Sequence, residues 1–276
     1  MITRFAPSPT GRLHLGHAYS AVLSWNAAQA AGGTWLLRIE DIDVTRCRAE
    51  WVDGIFEDLA WLGFTWDEPV LFQSDRLPQY QSALEDLMSK GLVYPCFCSR
   101  RDVEETASPG PLGPIYSGTC RHLTERDRKQ READGLPFSL RLHLQEAENQ
   151  HALETLTWLS GDEGPIPVSL APHGDVILAR KDIHTSYHLA VTLDDDFQNV
   201  TDVVRGADLK DSTSVHRLLQ ELLKLSSPCY WHHDLILDER GRKFSKRDRA
   251  PTLQSIREAG GTPAYVFQRL GILPVT

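Results

Sequence analysis

The sequence has few cysteines, no long apolar run and no excess of positive charge. Its 276 residues contain five cysteines, an odd and sparse set that argues against a disulfide framework and for reduced thiols. No apolar stretch approaches the ~18 residues that a membrane span needs, and no cleavable leader pattern is evident. These absences predict a cytoplasmic protein with no membrane partner.

The chain carries a deficit of positive charge. Lys and Arg total 29 against 38 Asp and Glu, which gives a formal net charge of -9. A chain-wide attraction to nucleic-acid phosphates is therefore excluded, and such a partner needs a local basic patch, for which Arg100, Arg101 and residues 240–249 are the candidates. The hydrophobic content of 41% is that of a globular chain with a large core.

Strand and helix patterns alternate in the first third of the chain. Short strands are predicted at residues 2–6 and 34–41, with a helix at residues 17–31 between them. Apolar residues at helical spacing return within residues 51–62 and 80–88. This alternation predicts an α/β fold in which helices cover a parallel sheet.

The middle of the chain has a different character. After Tyr94 come closely spaced cysteines, the loop ASPGPLGP, a charged run and FSLRLHL, whose alternation predicts a half-exposed strand. Patterns of the first kind resume near Asp175 with GDVILARKD and TDVVRG, and DLILD is a later strand candidate. We therefore interpret the middle portion as an insertion.

The stretch FAPSPTGRLHLGH combines a strand end, a turn rich in Pro and Gly, and a helix start. Such a helix start exposes backbone N–H groups and a positive dipole end, which together favour a phosphate group. Gly16 lets a nucleotide approach the backbone, while His14 and His17 can donate hydrogen bonds to a phosphoryl group. The alternative is that both histidines only cap and pack the turn.

A basic loop, ERGRKFSKRDR, follows DLILD near the other end of the chain. Lys243 and Lys246 form a pair of cations that could close over the remaining phosphates of a nucleotide. The alternative is a solvated basic loop, which would be preferred for one charge run alone. The loop and the histidine turn together favour a nucleotide site.

Three cysteines have the spacing of a metal site. Cys96, Cys98 and Cys120 supply three of the four ligands of a structural zinc ion. His122 is the chemically commoner fourth ligand, and Tyr116 is the other candidate. Three unliganded buried thiols remain the alternative.

These elements resemble class I aminoacyl-tRNA synthetases. FAPSPTGRLHLGH resembles the HIGH signature of that class and KFSKR its KMSKS signature. RFAPSPTG, RIEDID and the stretch from SYHLAV to VVRGADL are similar to the glutamyl-tRNA synthetase catalytic core. The C-x-C and Y-x-x-x-C pattern, in a chain that ends soon after KFSKR, resembles the short glutamyl-queuosine tRNA(Asp) synthetase branch, in which the tyrosine is a zinc ligand.

The resemblance implies a Rossmann-like parallel sheet of the class I synthetases, with an inserted small α+β domain that bears one structural Zn²⁺ ion. The implied ligands are Cys96, Cys98, Tyr116 and Cys120. The implied divisions are a first catalytic half at residues 1–93, an inserted acceptor-type domain at 94–175, a second catalytic half with the KFSKR loop at 176–250, and a short C-terminal helical segment at 251–276. We expect no anticodon-binding domain, and a monomer.

The resemblance also implies a two-step reaction. ATP and Mg²⁺ would serve activation of L-glutamate to glutamyl adenylate, and the glutamate would then pass to the queuosine base in the anticodon loop of tRNA(Asp). The implied catalytic residues are His14, His17 and Lys246, and the implied ATP-binding residues are His14, Gly16, His17, Lys243 and Lys246. The implied glutamate-binding residues are Arg4, Phe5, Ala6, Pro7, Ser8, Glu40, Tyr187 and Arg205.

The chemistry of glutamate fits that last set. Arg4 and Arg205 can each fork onto a carboxylate, Tyr187 can donate its hydroxyl, and Glu40 can take the ammonium group. Leu209 departs from the main branch of the family, which has a tryptophan shortly after the RG pair.

Other functions stay open at this level. The chain could be a truncated glutamyl-tRNA synthetase that acylates a tRNA 3′ end. It could also be a small-molecule nucleotidyltransferase, which would share the histidine turn but has no need for the arginine set. A non-catalytic paralogue is disfavoured by the intact His14, His17 and Lys246.

Overall fold

Parallel strands alternate with helices in the first part of the structure. This computed structural model describes residues 1–151, 153–236 and 251–274. The elements up to residue 89 are β1 (Ile2–Phe5), α1 (Leu15–Ala30), β2 (Thr34–Ile39), α2 (Ala49–Trp61), β3 (Asp67–Phe72) and α3 (Leu77–Ser89). β1 pairs with β2 and β2 with β3, both in parallel, so the predicted α/β architecture with a parallel sheet is confirmed. Helix α1 begins earlier than predicted because the side chain of His14 caps it.

The middle of the chain forms a small antiparallel sheet. The elements of this part of the chain are β4 (Val93–Cys96), α4 (Arg100–Thr106), α5 (Glu125–Ala133), β5 (Ser139–Leu142), α6 (Leu144–Gln150), β6 (Thr157–Ser160), β7 (Gly164–Pro167) and β8 (Ile177–Ala179). β5 pairs antiparallel with both β4 and β8. The prediction of a half-exposed strand in FSLRLHL is wrong, because β5 is the central strand and all four of its residues are buried.

The last part of the chain returns to parallel pairing. Its elements are α7 (Tyr187–Phe197), β9 (Asp202–Gly206), α8 (Ser212–Leu223), β10 (Cys229–His233), α9 (Leu253–Glu258) and α10 (Pro263–Leu270). β10 pairs in parallel with β9 and with β6. The backbone N–H of Thr201 donates to the carbonyl of Ile2 at 3.0 Å, so the start of β9 lies beside β1.

The prediction of a strand at DLILD is wrong for the residues of this stretch that the structure describes. Asp234 to Ile236 have no strand conformation, and the remaining two residues of DLILD lie outside the described residues. The observed strand, β10, ends immediately before DLILD. Its pairing with β9 ends at His233, which is opposite Gly206. Beyond that point β9 offers no backbone partner, and Leu235 and Ile236 line a cavity instead.

Strand pairing crosses the boundaries predicted for the insertion. β8 lies just past residue 175 and pairs with β5, while β6 lies inside residues 94–175 and pairs with β10. The antiparallel sheet therefore shares a continuous core with the second parallel unit, in which Leu140 packs in the same apolar cluster as Leu189 and Leu218.

Helices α9 and α10 pack back on the first part of the chain. Leu253 and Phe267 share an apolar cluster with Leu37 of β2 and Leu59 of α2. Within residues 1–151, 153–236 and 251–274, no helix has the length and apolarity to cross a membrane.

Candidate active site

The two histidines of the first turn form a reciprocal cap at the N-terminus of α1. Nδ1 of His14 accepts the backbone N–H of Gly16 at 3.1 Å, and Nδ1 of His17 accepts the backbone N–H of His14 at 3.1 Å. Because each Nδ1 is an acceptor, a neutral ring carries its proton on Nε2. The histidines therefore cap the turn, as the alternative interpretation expected. In their neutral form they also place two Nε2–H donors at the positive end of the dipole of α1.

A cavity of ≈ 490 Å³ opens beside this cap, at the carboxyl ends of β1 and β9. Its walls include every predicted nucleotide- and glutamate-site residue that lies in the described part of the chain. These are Arg4, Phe5, Ala6, Pro7, Ser8, His14, Gly16, His17, Glu40, Tyr187 and Arg205. Leu209 also lines the cavity, so the departure from the family pattern does fall on its wall.

Arg4 is buried and shares a carboxylate with a second arginine. Its Nε lies 2.9 Å from Oδ1 of Asp195, and Nη2 of Arg38 lies 2.6 Å from the same oxygen. Burial alone would raise the pKa of Asp195, but the charges of Arg4 and Arg38 lower it below its usual value. The trio therefore keeps one net positive charge in a buried place.

Arg205 is held by neutral groups. Its Nη1 lies 3.1 Å from Nδ1 of His216, its Nη2 donates to Oγ1 of Thr213 at 2.8 Å, and its Nε donates to Nε2 of His232 at 3.3 Å. Burial, together with the charge of Arg205, lowers the pKa of His216 well below its ordinary value and that of His232 to about 3. Within the described residues, Arg205 forms no salt bridge with a carboxylate, so its charge is not neutralised locally.

Glu40 and Asp208 are acidic residues that line the cavity, and Glu40 is the one predicted to bind the amino acid. Burial raises its pKa to about 7, although the charges of Arg38 and Arg4 act in the opposite direction. Its backbone N–H donates to the carbonyl of Pro7 at 3.0 Å, which joins the end of β2 to the first turn. Arg4, Arg205 and Glu40 line one cavity, and this set matches a ligand with two carboxylates and one ammonium group.

Lys243 and Lys246 lie outside the described residues. The residues on either side of the basic loop do reach the cavity region. Ile236 lines the cavity, and Thr252 forms an antiparallel bridge with His14. The backbone N–H of Leu253 donates to the carbonyl of Leu13 at 2.8 Å.

The predicted metal ligands come together in the insertion. Cys96, Cys98 and Cys120 have sulfur atoms within 4.8 Å of one another. The hydroxyl of Tyr116 lies 3.3 Å from Sγ of Cys96 and 3.4 Å from Sγ of Cys98. His122 is exposed and does not belong to this group of side chains.

Several residues around the cavity were missed by sequence reasoning. Asp195 lies in α7, the helix that begins at the predicted site residue Tyr187, but no pattern in the sequence pairs it with Arg4. Arg38, His216 and His233 come from separate elements, and no local pattern in the sequence joins them to the site. His233 lines the cavity with its Nε2 2.8 Å from Oγ of Ser20 in α1.

Comparisons with known proteins identify the family of this chain. A family described as tRNA synthetases class I (E and Q), catalytic domain, matches residues 1–276, and the chain therefore belongs to that family. Within it, the chain is similar to the glutamyl-Q tRNA(Asp) synthetase of Rhodobacter capsulatus, with 47% identity over 289 residues that cover 99% of this chain and 100% of that protein. The resemblance to that branch, indicated by the sequence, is confirmed.

Glutamate–tRNA ligases are also similar, over part of their length. The ligase of a Picosynechococcus species is 36% identical over 98% of this chain and 57% of its own length. A solved glutamate tRNA ligase from Elizabethkingia meningosepticum, in complex with its amino acid, has a TM-score of 0.79 and 26% identity. The match covers 99% of this chain and 60% of that one.

Proposed function

We propose that this chain activates L-glutamate with ATP and transfers the glutamate to the queuosine base in the anticodon loop of tRNA(Asp). The observation that carries the proposal is the single cavity in which Arg4, Arg205 and Glu40 face the histidine-capped start of α1. The similarity to glutamyl-Q tRNA(Asp) synthetase, which extends over the whole of the Rhodobacter protein, supports the choice of acceptor. We propose the cytoplasm as its compartment and a monomer as its working form.

The cavity supports an activation step in which each group has one task. Arg4 and Arg205 bind the two carboxylates of glutamate, Tyr187 adds its hydroxyl, and Glu40 binds the ammonium group. An α-carboxylate oxygen then attacks the α-phosphorus of ATP and pyrophosphate departs.

The negative charge that develops on the phosphoryl oxygens would lie beside the helix start. The Nε2–H groups of His14 and His17 donate to the phosphoryl oxygens during the attack, and they are already oriented by their Nδ1 contacts. We assign Lys243 and Lys246 to the departing pyrophosphate, and Mg²⁺ would neutralise the polyphosphate when bound.

We propose that Cys96, Cys98, Tyr116 and Cys120 hold one structural Zn²⁺ ion. A tetrahedron with ~2.3 Å zinc–sulfur bonds has edges of about 3.8 Å, and the Sγ atoms of Cys98 and Cys120 are 3.5 Å apart. Tyr116 is supported over His122 as the fourth ligand because its hydroxyl faces two of the sulfur atoms. Such an ion would supply folding energy to the insertion and would take no part in the reaction.

The rival functions have less support. A small-molecule nucleotidyltransferase would not need the paired arginine positions and Glu40, and family membership argues against it. A glutamate–tRNA ligase that acylates a 3′ end shares the activation site, so only the acceptor distinguishes it.

The acceptor is tested by transfer of labelled glutamate. We expect label on tRNA(Asp) that contains queuosine and no label on the same tRNA prepared without it. Glutamate-dependent pyrophosphate exchange, measured without any tRNA, reports activation separately. Equal labelling of the two tRNA preparations would contradict the proposed acceptor, and exchange driven equally by glutamine would contradict the proposed amino acid.

A further inference from the structure

A second, smaller cavity of ≈ 130 Å³ adjoins the first one. It shares Ser8, Thr10, Glu40 and Tyr187 with the larger cavity, so the two spaces meet at the position proposed for the amino acid. The histidine cap of α1 lines only the larger cavity. The smaller cavity therefore lies beside the glutamyl group of an adenylate and apart from the phosphate position.

The outer wall of the smaller cavity carries two arginines that are fixed by one carboxylate. Nε of Arg46 lies 2.7 Å from Oδ2 of Asp43, and Nη1 of Arg180 lies 3.4 Å from the same oxygen. Asp43 is buried and also accepts the hydroxyl of Thr45 at 2.6 Å. Arg180 in addition donates two hydrogen bonds to the exposed Asp182, from Nε at 3.1 Å and from Nη2 at 2.8 Å, so the open N–H groups at this wall are mainly those of Arg46.

The two guanidinium groups remain accessible. The side chain of Arg46 is 67% exposed and that of Arg180 is 37% exposed. Among the described residues, Arg46 contacts Asp43 through Nε and leaves its two Nη groups directed elsewhere. A fixed guanidinium with open N–H groups at a cavity mouth is suited to a phosphate oxygen.

We infer that this smaller cavity is the acceptor subsite, which takes the hydroxyl-bearing ring of an RNA nucleoside while Arg46 and Arg180 bind an adjoining backbone phosphate. The inference rests on the proposed function and names the residues that meet its second substrate. A space of this size accommodates one small ring, and a loop nucleotide can be splayed out of its stack to enter it.

The position of the subsite allows the transfer step to balance. The ring hydroxyl oxygen attacks the carbonyl carbon of glutamyl adenylate and forms an ester bond. The bond between that carbon and the phosphate oxygen breaks, AMP leaves with the electron pair, and its phosphate takes the hydroxyl proton. No oxidant, reductant or further co-reactant is needed.

The test separates transfer from activation with Arg46→Ala and Arg180→Ala. Both side chains are exposed, so the variants are expected to fold, and Arg269→Ala on α10 is a control that removes one exposed positive charge elsewhere. Glutamate-dependent pyrophosphate exchange should stay within about twofold of the wild type in all three. Transfer to queuosine-containing tRNA(Asp) should fall by about tenfold or more in Arg46→Ala and Arg180→Ala only, since each loses a charge-assisted hydrogen bond.

A cavity-filling variant tests the position of the ring. Cys47 lines the smaller cavity and not the larger one, and Cys47→Met lengthens its side chain. Transfer should again fall while exchange is retained. Transfer at the Arg269→Ala rate in Arg46→Ala, Arg180→Ala and Cys47→Met would overturn the subsite. Absence of exchange in the wild type would instead contradict the proposed function itself.

Discussion

Nη1 of Arg205 and Nδ1 of His216 lie 3.1 Å apart, and this contact pairs a buried cation with a neutral imidazole. Nδ1 of His216 must be the acceptor because the guanidinium group has only donors, so the proton of the neutral ring lies on Nε2. That Nε2 lies 3.1 Å from Nδ1 of His188, which continues the chain of hydrogen bonds. Arg205 is thus oriented without losing its charge, whereas Arg4 shares the carboxylate of Asp195.

This relationship predicts that His216 positions Arg205 for glutamate. His216→Ala removes one acceptor from the guanidinium group, and a hydrogen bond to a charged group is worth roughly 1.5–3 kcal/mol. We expect KM for glutamate in pyrophosphate exchange to rise by about tenfold or more, with a smaller change in KM for ATP. His122→Ala, at an exposed position, is the control. An unchanged KM for glutamate in a folded His216→Ala protein would contradict this role.

Glu40 predicts a pH dependence of glutamate binding. Its pKa is raised to about 7 by burial, so the carboxyl group is protonated below that pH and cannot pair with an ammonium group. KM for glutamate should therefore rise as the pH falls below about 7, approaching tenfold per pH unit. His188, with a pKa lowered to about 4 by burial, and His232 stay neutral across this window. Glu40→Gln should bind glutamate weakly at every pH, without this rise. A variant that retains the full dependence would assign it to another group.

The effect of Glu40 on the stability of the free protein should have the opposite pH dependence to its effect on glutamate binding. The folded carboxyl holds its proton up to about pH 7, while the unfolded one releases it near its ordinary value. The contribution of Glu40 to the free energy of unfolding is therefore fully present below the ordinary carboxyl pKa. It is lost as the pH rises from that value to about 7. Urea unfolding of the wild type and Glu40→Gln at several pH values isolates this contribution.

The histidine cap predicts a defect in activation. His17→Ala and Lys246→Ala should each lower the rate of pyrophosphate exchange on the order of 10²-fold, because both groups are assigned to charge that develops in the transition state. His17→Ala also removes the acceptor for the backbone N–H of His14, so its thermal unfolding must be measured alongside. Exchange near the wild-type rate in both folded variants would contradict the assignment.

The cysteine cluster predicts a bound metal. Elemental analysis should find about one zinc per chain, and Cys98→Ser should lose it and unfold the insertion first. His122→Ala is the matched variant and should retain its zinc, since its side chain is exposed and Tyr116 is the proposed fourth ligand. Loss of zinc from His122→Ala would move the fourth ligand to His122. A zinc-free wild type of unchanged stability would leave the three cysteines as buried thiols.

Local patterns and the family resemblance together named the predicted residues that line the cavity. The turn before α1 was singled out by its own pattern, whereas Glu40 and Tyr187 were implied only by the resemblance to the glutamyl-tRNA synthetase core. Parallel strands place their carboxyl ends at one edge of the sheet, so the alternation of strands and helices predicted a crevice there. The spacing of Cys96, Cys98 and Cys120 likewise predicted their proximity.

Long-range pairings lay beyond the reach of the sequence. Asp195 joins Arg4 across most of the chain, and His216 meets Arg205 only because α8 packs beside β9. The alternation in FSLRLHL is a local signal of one exposed face, yet Arg141 is buried because its guanidinium group stacks 3.9 Å from the ring of Tyr116. Each of these depends on which elements become neighbours, and no period in the sequence encodes that.

The position of the transferred glutamate tests the central claim most directly. Labelled glutamate is transferred to queuosine-containing tRNA(Asp), the 3′-terminal adenosine is then removed, and the label on the remaining RNA is counted. If the acceptor is the base in the anticodon loop, the label stays with the RNA. Label that leaves with the terminal adenosine, or that appears on tRNA(Glu), would show a 3′-end ligase and contradict the account.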